Sequence, residues 1–403
     1  MILHHVETIV AAIGPTGVAF HIHHIVADGL TMALLCKEFA ELYAGKELPE
    51  PKRQYKDYSQ WILSHDMADA EVYWKQLLSE APVSELITDR SRPRKQSFAG
   101  ATVYADLPKN LVSKLRTLCK RENATDYMVF LSALMVLLSK YGRQEDVVVG
   151  SAYSGRTHRD TEDMLGMFVS TLALRGKPEG AKTFRQFLAE IRELAMEAYR
   201  YQDYPFEDLV DGLGLRGNAG RNPLFDAMMA MEDKDASRLT LGDLVGENLQ
   251  YHNRSAKFDL NLMIEPGEER CSFALEYATA LYDQSTAQRM LEHYIAILRQ
   301  VAEDPEAPLA QLAPITDGES RRILTDFNQT DAVYPTDGTL VSLFREQASL
   351  TPDRIALTFG DRQVTYRELD RWSDRIAVAL HHRGIGRGDL VPLFIERCPE
   401  MIV

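Results

Sequence analysis

An α/β fold is predicted by three features of the chain. Short apolar runs with strand character recur between longer segments of helical periodicity. One of those runs, Val147-Val148-Val149-Gly150, is wholly apolar, as in a strand covered on both faces. Near the start, Val18-Ala19-Phe20-His21-Ile22 alternates as a buried strand and passes through His23-His24-Ile25-Val26-Ala27-Asp28-Gly29 into the amphipathic run Leu30–Phe39.

The remaining elements follow in order. Asp69 to Glu80 reads as a helix carrying Trp74, Leu77 and Leu78. Residues 88–97 are polar and contain Pro93, with no apolar period, and read as an exposed crossover between two lobes. Ala101–Ala105 is a strand and Pro108–Arg121 a helix, and Thr125 caps a helix ending near Tyr141-Gly142. Phe168–Leu174 reads as a further buried strand and Phe184–Tyr201 as a long helix forming a lobe face. Phe258–Ile264, the turn Glu265-Pro266-Gly267-Glu268 and Ser272–Tyr277 form a hairpin, and a helix runs from Ser285 to about Glu303. Residues 313–337 are mixed and polar, a linker with one short helical piece around Arg321–Phe327. Beyond it come a helix (Thr339–Ala348), a strand (Ile355–Phe359), a turn at Gly360-Asp361 into Gln363–Tyr366, a helix (Arg367–His381) and a strand (Val391–Ile395).

At 403 residues the chain has room for two or three domains with sizeable cores. A net charge of −14 argues against nucleic acid as a partner, because phosphate binding needs a basic face. The four cysteines are scattered with no CxxC pair, which suggests neither a zinc site nor a disulfide framework and suits a reducing cytosol. No apolar run is long enough to span a bilayer, and Met1-Ile2-Leu3-His4-His5 lacks the form of a signal peptide. A cytoplasmic location with no membrane partner is expected.

His24 is the candidate acid/base, since an imidazole can exchange a proton near neutrality. If the strand continued through the pair, His21 and His23 would face one side and Ile22 and His24 the other. His23 is then read as a hydrogen-bonded structural neighbour and His24 as the group presented to substrate. Gly29 permits a tight turn into the helix. Asp28 is a carboxylate that needs a cation if buried, and none lies beside it in sequence, so its partner must come from elsewhere. Two histidines in a strand are ordinarily packing residues. The Asp-Gly at this spacing, in a strand-to-helix turn, argues against that here. His21-x-His23 could place two imidazoles on one face, but no third metal ligand is nearby and no metal is expected. His4-His5 has no Asp-Gly after it and is given no role.

The string HHIVADG resembles the HHxxxDG motif of condensation domains from nonribosomal peptide synthetases, shared with the wider chloramphenicol-acetyltransferase-like acyltransferases. Further strings follow in the family's order. These are Tyr55–Trp61 with Tyr73-Trp74, Asp146–Gly150 running to Gly155-Arg156, Leu165–Arg175, Gln202–Glu207 and Arg221–Phe225. The resemblance covers residues from about 16 to 330. Val364–Leu369 resembles the opening motif of an adenylation (AMP-binding) domain. No serine/glycine-rich phosphate loop with its lysine follows, so no ATP site is expected, and no carrier-domain serine motif is present.

The resemblance implies a two-lobed chloramphenicol-acetyltransferase-like sandwich with most of the N-terminal lobe missing, since the family has far more chain ahead of this histidine. The implied layout is a lobe remnant at 1–87, the crossover at 88–97, the C-terminal lobe at 98–312, the linker at 313–337 and part of an adenylation domain at 338–403. The implied reaction is peptide-bond formation, in which the amine of an acceptor aminoacyl thioester attacks a donor acyl or peptidyl thioester. Both substrates ride on the phosphopantetheine arms of partner carrier-protein domains, so no cofactor is bound directly, and other synthetase modules are the remaining partners. By the same resemblance His24 is catalytic and His23 a structural neighbour, Asp28 forms a buried salt bridge with Arg156, and Gly29 lets the backbone approach the thioester. Ser170 stands where the family usually has asparagine, which lessens any role for that side chain. Tyr58, Trp61, Trp74, Pro205, Phe206 and Phe225 are read as core or inter-lobe packing. The alternatives are an epimerization domain, which shares the motif, and a non-catalytic remnant that only docks carriers. A heterocyclization domain is disfavoured because it replaces the histidines with aspartates.

Overall fold

The computed structural model describes residues 9–13, 18–82, 86–215, 220–231, 239–242, 244–245, 254–267, 270–333 and 337–403. It divides into two compact units, Met1–Arg321 and Arg322–Val403. His4-His5 and Glu268, the last residue of the expected hairpin turn, lie outside the described residues.

The first unit begins with an antiparallel pair, β1 (Ile9–Ile13) and β2 (Val18–Ile22). Three helices follow, α1 (Gly29–Tyr43), α2 (Tyr55–Ser64) and α3 (Ala68–Leu78). The chain then builds β3 (Gly100–Leu107), α4 (Lys109–Glu122), α5 (Asp126–Gly142), β4 (Val147–Tyr153), β5 (Ser170–Gly176), α6 (Phe184–Arg200) and α7 (Phe206–Gly212). After these come β6 (Ala227–Met231), the short pair β7 (Thr240–Leu241) and β8 (Leu244–Val245), β9 (Leu260–Glu265), β10 (Cys271–Ala278), α8 (Gln284–Glu303) and α9 (Asp317–Leu324). Six strands form one mixed sheet in the order β3-β10-β9-β6-β4-β5, parallel at β4/β6 and β6/β9 and antiparallel elsewhere.

Period-2 alternation explains the sheet's buried face. Leu260, Leu262 and Ile264 of β9 and Phe273, Leu275 and Tyr277 of β10 are buried, with half-buried residues between them. Phe273 packs edge-on against Phe130 of α5 and tilted against Tyr294 of α8. In α5 every residue from Met128 to Leu138 is buried, which suits a helix with sheet on one side and helices on the others. Thr125 caps its start, and Arg143 in the left-handed region ends it.

Two arginines tie the early part of the chain to this sheet. Arg175 of β5 donates to the Leu77 and Ser79 carbonyls at the end of α3, at 3.1 and 2.7 Å, while its other nitrogens hold Asp146. Arg92 sits in the 88–97 stretch that was expected to be exposed. Its side chain is only 27% exposed and forms a two-pronged pair with Asp259, with Asp226 at 3.9 Å. No residue of the stretch is fully buried, but polarity alone does not foresee this tie, because the partners of Arg92 are two carboxylates far along the chain, just ahead of β6 and β9.

The part of the expected linker nearest the first unit is also anchored. Gln300 of α8 exchanges hydrogen bonds with the backbone of Ala313, at 3.0 and 2.6 Å. His293 of α8 bridges Tyr141 Oη (2.8 Å) and Glu319 Oε2 (2.7 Å), and Glu319 also caps Thr316. Burial would raise the Glu319 carboxyl, but the bonds from Thr316 and His293 outweigh it and hold the group below its usual value of 4.5. A lowered folded value means that this carboxylate stabilises the fold above the unfolded value and loses that contribution as pH falls through the folded one. Glu319→Gln should therefore melt at a lower temperature than the native chain above roughly pH 5, the gap closing in acid. A gap independent of pH would refute this.

The second unit contains α10 (Leu340–Leu350), the hairpin β11 (Ile355–Phe359) and β12 (Arg362–Thr365), and α11 (Tyr366–His382). Gly360, at φ +59°, makes the hairpin turn, and Thr365 with Glu368 forms a capping box for α11. The expected strand at Val391–Ile395 does not form, and Phe394 is fully exposed. A strand exists only by pairing, and among the described residues none lies alongside this run. No described helix is long and apolar enough to cross a membrane.

Candidate functional site

β2 ends at Ile22, one residue before the histidine pair, and His24–Val26 form a single 3-10 turn with His23 as its cap. Strand alternation therefore does not assign faces to His23 and His24, contrary to the expectation from the sequence. Hydrogen bonding distinguishes them instead. His23 Nδ1 accepts from the Ile25 amide at 3.2 Å, so in the neutral ring the proton sits on Nε2. His24 Nδ1 lies 2.7 Å from the Ala27 carbonyl, which has no proton to give, so Nδ1 donates and in the neutral ring Nε2 carries the lone pair. Both rings are exposed. Adjacent histidines thus hold opposite tautomers, and His24 is the one that offers a base at Nε2.

The turn is joined to α1 by Asp28, which is 3% exposed. Its backbone is extended and it caps the helix, Oδ1 accepting from the Thr31 amide at 2.7 Å. Oδ2 accepts from the Phe168 amide at 3.1 Å. Arg156 Nη2 reaches the same carboxylate at 3.2 and 3.5 Å, across 128 residues of sequence. Burial would raise the Asp28 carboxyl, but the amides of Thr31 and Phe168, the Thr31 side chain and the Arg156 charge together hold it below its usual value. Asp28 is therefore a charged partner for Arg156.

Arg156 is equally enclosed. Its guanidinium lies 4.2 Å from the centre of the Phe168 ring and donates to the Met164 carbonyl at 2.7 Å, to the Thr161 carbonyl, and to Thr31 Oγ1 at 3.1 Å. The structure thus brings Asp28 and Arg156 together and sets His24 four residues from the joint.

Gly29 is the first residue of α1 and its φ is not positive, so the turn does not need a glycine for its backbone conformation. A Cβ placed there would meet no described atom within 4 Å. Two glycines to which the sequence assigns no role are indispensable by contrast. Gly155 has φ +63°, and a Cβ on it would lie 1.8 Å from the Phe168 carbonyl oxygen. On Gly166 it would lie 2.1 Å from the Tyr55 ring. Thr31 and Tyr55 also escape sequence reasoning. A threonine three residues after a capping aspartate is the one local signal that points to Thr31. Of the aromatic residues read as packing, Trp74 and Phe225 are buried, whereas Trp61 is 40% exposed. Among the described residues no cluster of histidine, cysteine and carboxylate side chains could hold a metal ion.

Comparison with known proteins places these observations. Residues 14–324 match the family model of the Condensation domain, and residues 344–403 match that of the AMP-binding enzyme. A plipastatin synthase of Bacillus subtilis (strain 168) is 42% identical over 385 residues, covering 94% of this chain and 11% of that protein. Gramicidin S synthase 2 of Brevibacillus brevis is 38% identical over 391 residues, 95% of this chain and 9% of that protein. The chain thus spans about a tenth of the length of these curated relatives. Among solved structures, a four-domain nonribosomal peptide synthetase bound to AMP and glycine superposes with a TM-score of 0.81 at 24% identity, over 92% of this chain and 30% of that one. The first condensation domain of the calcium-dependent antibiotic synthetase, in complex with a substrate analogue, gives 0.61 at 21% identity, over 74% and 67%. At these identities the structural likenesses speak to the fold.

Proposed function

Because the chain belongs to the condensation-domain family of nonribosomal peptide synthetases, we propose that its first unit serves peptide-bond formation between two carrier-bound thioesters, with His24 as the group that handles the proton. The observation that carries this reading is the tautomer of His24. Its Nδ1 is engaged by the Ala27 carbonyl, so Nε2 offers a lone pair from an exposed turn that the buried Asp28–Arg156 pair anchors. In the reaction the acceptor amine attacks the donor thioester carbonyl, a C–N bond forms, and the C–S bond breaks. The proton lost by the amine passes to His24 Nε2 and from there to the departing thiolate. The thiols belong to the phosphopantetheine arms of donor and acceptor carrier domains, and those domains are the proposed partners. His23, with its Nδ1 taken by Ile25, shapes the turn.

Gly29 fits the same reading, since the space beside its Cα is open to a substrate backbone. Gly29→Ala should leave thermal stability unchanged or raise it by up to about 1 kcal/mol, because alanine favours a helix. Dipeptide formation should fall about 10- to 100-fold, the usual effect of a small misplacement of substrate. Unchanged turnover would remove Gly29 from the site.

The test of the reading is a reconstituted synthetase module containing this chain, supplied with donor and acceptor carriers loaded with aminoacyl thioesters. Release of a carrier-bound dipeptide is the expected product. Stereochemical inversion of the bound residue without a new amide would favour an epimerization domain, and binding of carriers without either product a docking role.

A further inference from the structure

We propose that Thr31 and Tyr55 are positioning residues, acting through the strap of residues 164–168 to hold the Arg156–Asp28 pair, and with it the His24 turn, in register. The inference rests on the proposed role of His24. The strap has no helix or strand to hold its shape, yet its backbone groups are captured by side chains, those of Asp28, Thr31 and Tyr55 from more than 100 residues away. The Met164 carbonyl accepts from Arg156, the Met167 carbonyl from Tyr55 Oη at 2.7 Å, and the Phe168 amide donates to Asp28. Gly166 is held at both ends by one hydroxyl. Thr31 Oγ1 donates to its carbonyl at 2.7 Å and accepts from its amide at 3.1 Å. The same oxygen accepts from Arg156 Nη2, so the hydroxyl of a residue only 2% exposed joins helix, strap and guanidinium. Tyr55 closes the other side, its ring against the Cα of Gly166 and 5.0 Å from the Phe168 ring that supports Arg156.

His24 itself is held only locally, by Ala27, in the described structure. Its placement therefore depends on where Asp28 is anchored. Asp28 is tied to the strap by the Phe168 amide at 3.1 Å and to Arg156 at 3.2 and 3.5 Å, and the three bonds of Thr31 Oγ1 add a second tie that fixes the start of α1 against the same strap.

The test measures dipeptide formation by the complete module carrying Thr31→Val, Thr31→Ser or Tyr55→Phe, with melting temperatures alongside. Thr31→Val keeps the shape and removes the hydroxyl. Its kcat should fall about 10- to 100-fold, with KM for both loaded carriers within about twofold. Thr31→Ser should recover most of the rate, and Tyr55→Phe should lose less than Thr31→Val, in the same sense. If Thr31→Val fails to fold, Tyr55→Phe decides, because its ring is partly exposed and remains in place. Native kcat in the folded Thr31→Val and Tyr55→Phe modules, or a serine variant as impaired as the valine one, overturns this inference alone. A native module that makes no dipeptide overturns the functional reading and this inference with it.

Discussion

Asp28→Ala is expected to destabilise the first unit by about 3–5 kcal/mol, the loss that follows when one partner of a buried ion pair is removed. The side chains of Arg156 and Asp28 are 3% and 1% exposed, so deleting the carboxylate strands a guanidinium away from water. Its remaining partners are the carbonyls of Thr161 and Met164, the Thr31 hydroxyl and the Phe168 ring, none of which carries a compensating charge. The same substitution removes the cap of α1 and leaves the Phe168 amide without its acceptor. Asp28→Asn should be milder, since an amide oxygen still caps the helix. Equilibrium urea unfolding measures both, and a loss below about 1 kcal/mol for the alanine variant would show that the pair is not a brace. The lowered Asp28 carboxyl adds a pH signature. Its contribution is complete above the unfolded value and disappears as pH falls through the folded one, so the native chain should lose stability in acid more steeply than Asp28→Asn.

His24→Ala should show the opposite profile. The ring is exposed and makes one local hydrogen bond, so the melting temperature should change little. Dipeptide formation by the module should fall about 10²- to 10⁴-fold, the range for loss of a positioned general base. His23→Ala removes an acceptor for one backbone amide and should cost far less activity. Dipeptide transfer by His24→Ala at close to the native rate would remove His24 from the chemistry. Together the two variants separate brace from base, one losing stability and the other losing turnover.

The fold that carries this site is the chloramphenicol-acetyltransferase-like α/β fold of condensation domains. Much of it is legible in the sequence because strong periodicity is local. α5, α6 and α8 and the β9–β10 hairpin have long or strictly alternating apolar patterns, and α5 and α6 also have threonine caps. β6 escapes such reading because Ala227–Met231 has little intrinsic strand preference. It is a strand by virtue of β4 and β9 on either side, contributed from far along the chain. α2 is equally hard to assign, since it buries no residue fully and so shows no core-facing stripe.

Local sequence is enough to establish the strand, turn and helix around His23-His24…Asp28-Gly29, and the need of Asp28 for a cation. The pairing with Arg156 follows from family resemblance, and the structure supplies its geometry. The tautomers of the two histidines follow from the geometry of the local turn, through Ile25 and Ala27, and only long-range packing reveals the need for glycine at 166. The capture of the 164–168 strap by Thr31 and Tyr55 belongs with that need. The reason is separation along the chain. Thr31 meets Gly166 across 135 residues and Asp28 meets Phe168 across 140, whereas hydrophobic periodicity and capping patterns report only on neighbours a few positions apart.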